Sequence, residues 1–222
     1  MYIGIDLGTS GVKTILVDKN QKILSTTHTS LTVHSPKDGF NEQNPKDWIL
    51  AIEKCLENLR KKNPLEFSST ISIGISGHMH GATLIDKKGD VIRPCILWND
   101  TRSYKECLDF EEQEFDVRSI SGNIAMPGFT APKINWIKNN EPENFKKIDK
   151  VLLPKDYVRY YLTGEFFSEM SDASGTLWLD IKERNWSDKL LSASFLTKKN
   201  MPNLVEGNEE AGILKDSIKN KF

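Results

Sequence analysis

Cysteine is scarce in this chain of 222 residues: Cys55, Cys95 and Cys107 are odd in number and far apart, and no C-x-x-C pair occurs. That pattern excludes a disulfide framework and a cysteine zinc site, and it leaves buried free thiols in a reducing compartment. Long apolar runs are also missing, and Met1 leads straight into a strand pattern without the basic and apolar regions of a signal peptide. A cytoplasmic protein without membrane contact is expected. Neither sign of charge dominates, since 30 Lys and Arg against 31 Asp and Glu give a formal net charge of −1. Such a balance offers nucleic acid or an anionic surface no general attraction, so any charged ligand must be held locally. Repeats and low-complexity tracts are absent, which excludes an array, and the length allows one large domain or two small ones.

What the chain does have is a polar turn between two apolar strands. Ile3 and Ile5 alternate with Gly4, and Val12 to Val17 is apolar apart from Lys13 and Thr14. Between the strands stands Asp6-Leu7-Gly8-Thr9-Ser10-Gly11. Gly8 and Gly11 can adopt positive φ and bring backbone N–H groups up to an anion, Thr9 and Ser10 add hydroxyls, and Lys13 adds a point charge. Asp6 would repel a phosphate unless Mg²⁺, directly or through its water shell, stood between them. The combination reads as a phosphate-binding hairpin, whereas the glycines alone would read as an ordinary turn.

Further along, Ile23 to Thr29 predicts a third strand of a meander. Asn44 as cap, Pro45 at the first helical position and the stripe Trp48, Ile52, Leu56 and Leu59 predict a helix that buries one face. Ile71, Ile73 and Ile75 alternate with small residues and run into Gly77-His78-Met79-His80-Gly81. A hairpin over Thr83 to Ile92, a strand ending at Trp98, an exposed helix from Ser103 to about Arg118 and a short helix through Lys133 to Ile137 follow. Val151 to Leu153 reads as a strand, Tyr157 to Leu162 as a helix closed by Gly164, and Asp172 to Thr176 as a loop. Alternation of this kind predicts an α/β fold.

Three segments carry candidate chemistry. His78 and His80 stand at a strand end bracketed by glycines, where each ring can serve equally as a hydrogen-bonded core histidine or as a ligand group. The His-x-His pair lacks a carboxylate or thiolate partner and is incomplete as a metal site. Trp98-Asn99-Asp100-Thr101-Arg102 offers an aromatic plane beside amide, acid and guanidinium groups, suited either to a sugar or to a core Trp with a helix cap. In Gly128-Phe129-Thr130-Ala131-Pro132-Lys133-Ile134-Asn135-Trp136, Trp136 reads as packing and Lys133 as a solvated or structural charge.

The Asp6 to Lys13 segment resembles the first phosphate motif of the ATPase fold shared by sugar kinases, actin and heat-shock chaperones. Gly77 to Thr83 resembles the sugar-binding segment of xylulokinases, members of the FGGY carbohydrate kinases. Met79 and His80 match the pair that contacts the ketose, while many relatives have Gln in place of His78 and Gly in place of Thr101. Gly128 to Asn140 resembles the FGGY signature, and Pro154 to Tyr157 and Ser171 to Trp178 resemble further xylulokinase segments, so the likeness covers nearly the whole chain.

The resemblance implies a ribonuclease H-like, actin-like α/β domain over residues 1–222, the N-terminal sugar-binding domain of a kinase that phosphorylates D-xylulose with ATP and Mg²⁺. It assigns Asp6 to Mg²⁺, Gly8, Thr9, Ser10, Gly11 and Lys13 to phosphate, and Met79, His80, Trp98, Asn99, Asp100 and Arg102 to the sugar. The family's general base, an Asp in a Gly-Asp-Asn-Ala motif, has no counterpart between Met1 and Phe222. A C-terminal ATP-binding domain or a complementing chain is the implied partner, and a homo-oligomer is allowed. The alternatives are a non-catalytic sugar-binding fragment and a kinase for another small sugar or polyol.

Overall fold

The computed structural model describes residues 1–222. Strands β1 (Tyr2–Leu7), β2 (Gly11–Val17) and β3 (Ile23–Ser30) form the expected antiparallel meander. After the two-residue strand β4 (Glu42–Gln43), helix α1 (Pro45–Lys62) crosses back over this sheet. Its start follows the sequence signals, because the Asn44 side chain accepts the Lys46 N–H, Pro45 opens the first turn and Asp47 follows. Trp48, Ile52, Cys55, Leu56 and Leu59 are buried against Ile3, Ile5, Leu7, Val12 and Leu16. Helix α2 (Pro64–Ser68) leads to β5 (Ser72–Gly77), which lies parallel to β1 and completes the order β3-β2-β1-β5.

Strands β6 (Thr83–Ile85) and β7 (Cys95–Ile96) begin a thin second layer, in which β6 pairs with β8 (Lys150–Leu152) and β7 pairs with β4. The expected hairpin partner of β6 contributes only an isolated bridge, Ile85 to Val91. Alternate side chains of this layer feed two cores. Ile85, Cys95 and Leu97 join the core beneath the four-stranded sheet, whereas Ala82, Leu84 and Ile96 join a second one. That second core is completed by α5 (Thr130–Asn140), by Trp178 and Trp186, and by Leu190 and Leu191.

The helix expected from Ser103 to Arg118 is two. Helix α3 (Tyr104–Glu111) buries Cys107 and Phe110, and α4 (Val117–Ser121) starts afresh at Asp116, whose carboxylate accepts the Ser119 N–H. Helix α5 is longer than expected and runs into α6 (Pro142–Phe145). Helix α7 (Pro154–Thr163) ends at Gly164 with φ 84°, followed by β9 (Phe167–Glu169). Asp172 to Thr176 is not the expected loop: α8 (Met170–Ser174) forms there because the Glu169 carboxylate accepts the N–H groups of Ser171 and Asp172. All three cysteines are buried free thiols, and burial pushes Cys95 up to about 11 and Cys107 up to about 12. No helix is long and apolar enough to cross a membrane.

Candidate functional site

The hairpin between β1 and β2 differs from its expected form. Neither Gly8 nor Gly11 has positive φ, and the Gly8 N–H donates to the Gly11 carbonyl at 3.0 Å, so it is not free for an anion. Gly11 is required for contact instead. A Cβ there would lie 2.4 Å from His28 Nε2 and 2.8 Å from the Thr29 carbonyl oxygen. Gly11→Ala is therefore expected to destabilise the chain by about 1–3 kcal/mol through overpacking. An unchanged urea midpoint would refute the contact argument.

Asp6 is the penultimate residue of β1, on the open face of the sheet. It is opposite Lys13 on β2 and Ser76 on β5, and all three are exposed. Ser76 Oγ donates to the Asp6 carboxylate at 2.9 Å. One carboxylate, one ammonium and one hydroxyl thus share a row at the rim of the sheet. Thr9 and Ser10 lie beside that row at the hairpin tip. Below them is a residue for which the sequence offers no signal. Gln43 is 1% exposed, donates to the carbonyls of Thr9 at 2.7 Å and Thr32 at 3.3 Å, and accepts from Trp48 Nε1 at 3.0 Å. A neutral amide in a two-residue strand has no pattern that could have revealed it.

The segments expected to hold the sugar reach the same place. Trp98 Nε1–H donates to Thr9 Oγ1 at 3.0 Å, which joins the Trp98 turn directly to the hairpin. Met79 and Trp98 are 49% and 42% exposed, so each offers an open apolar surface. His80 has φ 63°, a strained conformation for a non-glycine residue. Its ring stands edge-on to Phe129, and Nδ1 lies 2.7 Å from the Gly175 carbonyl of the α8 cap. Burial lowers the ring's pKa to about 4, against the opposing hydrogen bond to Gly175, so it is neutral near pH 7. A carbonyl oxygen can only accept; Nδ1 therefore carries the proton and Nε2 is a free acceptor. His78 differs, since both ring nitrogens are buried without partners and the ring packs edge-on against Trp48. Burial, reinforced by Lys133, lowers its pKa to about 4 as well.

Two expected sugar ligands are occupied elsewhere. Asp100 is 1% exposed and accepts from Arg102 Nε at 2.9 Å, from Arg102 Nη2 at 2.7 Å and from the Asn41 N–H at 2.6 Å. Arg102 also pairs with Glu42 at 2.7 Å, and its guanidinium stacks 3.9 Å from the Phe40 ring and 4.9 Å from that of Trp136. These charges lie beneath the Trp98–Asn99 turn and do not line it. Asn99 itself is exposed, with its carbonyl accepting from Asn41. Asp172 also turns inward, to within 2.9 Å of Lys155 Nζ, and Lys155 pairs with Asp156 at 2.8 Å. Lys133, read as solvated or structural, is fully buried.

Residues 1–222 match the family described as "FGGY family of carbohydrate kinases, N-terminal domain". The chain is 49% identical over 214 residues to the xylulose kinase of Escherichia coli (strain K12), covering 96% of this chain and 44% of that protein. It is 47% identical over 218 residues to the xylulose kinase of Klebsiella pneumoniae, covering 98% of this chain and 45% of that protein. A crystal structure described as a "xyloylose kinase" from Brucella ovis superposes with a TM-score of 0.95 at 51% identity, covering 97% of this chain and 45% of that one. The chain thus spans less than half the length of these relatives. The meander, the parallel β5 and the flanking helices correspond to the actin-like ATPase fold of such sugar kinases. With its whole length matched, the chain belongs to the FGGY family of carbohydrate kinases.

Proposed function

We propose that this chain is the sugar-recognition half of a xylulokinase, which transfers the γ-phosphoryl group of ATP to D-xylulose and yields D-xylulose 5-phosphate. The reading is supported by the xylulose kinases it resembles and is carried by one observation: the Trp98 turn is hydrogen-bonded to the tip of the Asp6–Lys13 hairpin. A sugar lying on Trp98, beside Met79 and His80, would present a hydroxyl towards the phosphate side.

The residues divide the work. The free Nε2 of His80 accepts a hydrogen bond from a sugar hydroxyl, Met79 and Trp98 cover the apolar faces of the sugar, and Asn99 supplies polar contacts at the edge. Thr9, Ser10 and Lys13 hold phosphate oxygens, and Gly8 and Gly11 keep the hairpin narrow. Asp6, an exposed carboxylate steadied by Ser76, fits a hydrated Mg²⁺. Mg²⁺ bound there would neutralise charge on the phosphates of ATP. Asp100 and Arg102 hold the Trp98–Asn99 turn from below. The carboxylate that takes the proton from the attacking hydroxyl lies outside residues 1–222, as does most of the adenosine surface.

The test is calorimetric binding of D-xylulose, D-ribulose and glycerol to residues 1–222, combined with a coupled kinase assay. D-xylulose is expected to bind best, and His80→Asn, which tolerates positive φ, is expected to weaken it about tenfold, the cost of one hydrogen bond in a desolvated site. No preference for xylulose would overturn the substrate. Transfer by residues 1–222 alone would overturn the placement of the base.

A further inference from the structure

We propose that Lys133 is a positioning residue: its buried amino group ties the Met79–His80 turn to the loop that carries the Trp98 turn, so one side chain sets the distance between two walls of the sugar site. The proposal rests on the reading of Met79, His80 and Trp98 as sugar contacts. Lys133 Nζ donates to the His80 carbonyl at 2.9 Å and to the Gly128 carbonyl at 2.6 Å. Thr130, one helical turn earlier, donates its hydroxyl to the same His80 carbonyl at 3.1 Å. Two donors from α5 therefore converge on the carbonyl oxygen of the positive-φ residue itself.

The other anchor leads to Trp98. Gly128 packs so closely on the Trp98 carbonyl oxygen that a Cβ would stand 2.7 Å from it. The Gly128 carbonyl held by Lys133 thus belongs to the backbone on which the Trp98 turn rests. Packing alone gives no reason for a lysine here. An ammonium buried with only carbonyl partners is costly, and an apolar side chain of similar length would fill the space at lower cost. What the amine provides and an apolar chain lacks is a fixed geometry between two acceptors.

The surroundings agree. Cys95 from β7, Asp100 and Arg102 from the turn after it, and His78 and His80 from the turn after β5 face the amine. Burial lowers its pKa to about 7, with Arg102 lowering and Cys95 and Asp100 raising it. A proton on Nζ therefore comes and goes near neutral pH at the junction of the two turns.

The experiment compares wild type with Lys133→Met by NMR and by D-xylulose titration. Lys133→Met is expected to keep the resonances of the α1 core and to shift the amides of Met79, His80 and Gly81 together with the Trp98 indole N–H. Xylulose affinity should fall about tenfold, as for loss of a charge-assisted hydrogen bond. In wild type the same resonances should titrate together near pH 7, and in the variant they should not. If Lys133→Met does not fold, Lys133→Gln, which keeps a neutral donor but is too short to bridge the His80 and Gly128 carbonyls, carries the same readouts. Unmoved His80 and Trp98 signals in a folded variant would overturn the proposal, as would movement of only one of the two turns. If wild type ignores xylulose while both turns still move, the sugar assignment fails and the clamp stands.

Discussion

Arg102→Met is expected to destabilise the chain by about 3–5 kcal/mol, the range for removing one partner from a buried ionic group. The side chain is almost fully buried and has three tasks. It supplies two donors to Asp100, it pairs with Glu42, and it fills the space between the rings of Phe40 and Trp136. Methionine restores most of the volume but no donor. Asp100 would keep the N–H groups of Asn41 and Arg102 and lose both side-chain bonds, leaving its charge poorly compensated. Glu42 would fare better, because Arg93 remains at 2.5 Å. Asp100→Asn should therefore cost less than Arg102→Met, and the double variant less than the sum of the two, since the second change removes a charge already stranded by the first. Urea unfolding of the four chains checks this. A loss below about 1 kcal/mol for Arg102→Met would mean that the network is loose or hydrated, contrary to the argument. The same variant should shift the Trp98 indole resonance, because the network is what holds that turn against Thr9.

The parts of this site that could be read in the sequence are those governed by short-range periodicity. The alternation of Ile3 and Ile5, the stripe from Trp48 to Leu59 and the Asn44–Pro45 cap each depend on neighbours within two turns or one strand, and each forms as expected. Met79 and His80 stand out in the sequence only through resemblance, and no pattern in the residues announces the positive φ at His80, whose carbonyl is held by donors of α5 some fifty positions later. The acidic and basic groups were hardest to place. Asp100 and Arg102 read as ligands because their polarity is local information, while their burial depends on Glu42, Phe40 and Trp136, which only the fold brings together. Gly11 illustrates the same limit: its small size was legible, but the reason for it, the Thr29 carbonyl and His28 ring of the next strand, was not.

Stability should fall steeply as pH drops from 6.5 towards 4. His78 and His80 ordinarily titrate near 6.5, and burial lowers both to about 4 in the folded chain. Between these values the unfolded chain binds protons that the folded chain refuses, so acid favours unfolding. At about 1.4 kcal/mol per unit, His78 alone contributes roughly 3 kcal/mol across this window. His80 adds less, because part of its ring meets solvent. Lys133 acts at the other end. Its pKa is lowered from 10.5 to about 7, so the unfolded state again holds the extra proton and stability should rise from pH 7 upwards. That rise is best followed up to about pH 8, before unfolded thiols ionise and the raised Cys95 and Cys107 begin to oppose it. The decisive comparison is His78→Gln, which keeps a polar side chain of similar reach but cannot titrate. Urea midpoints at several pH values between 4.5 and 8 should separate the curves below pH 6.5, with the variant losing less than wild type, and bring them parallel above it. Curves parallel throughout would show that His78 is not held neutral by burial, and the acid limb would then belong to the carboxylates.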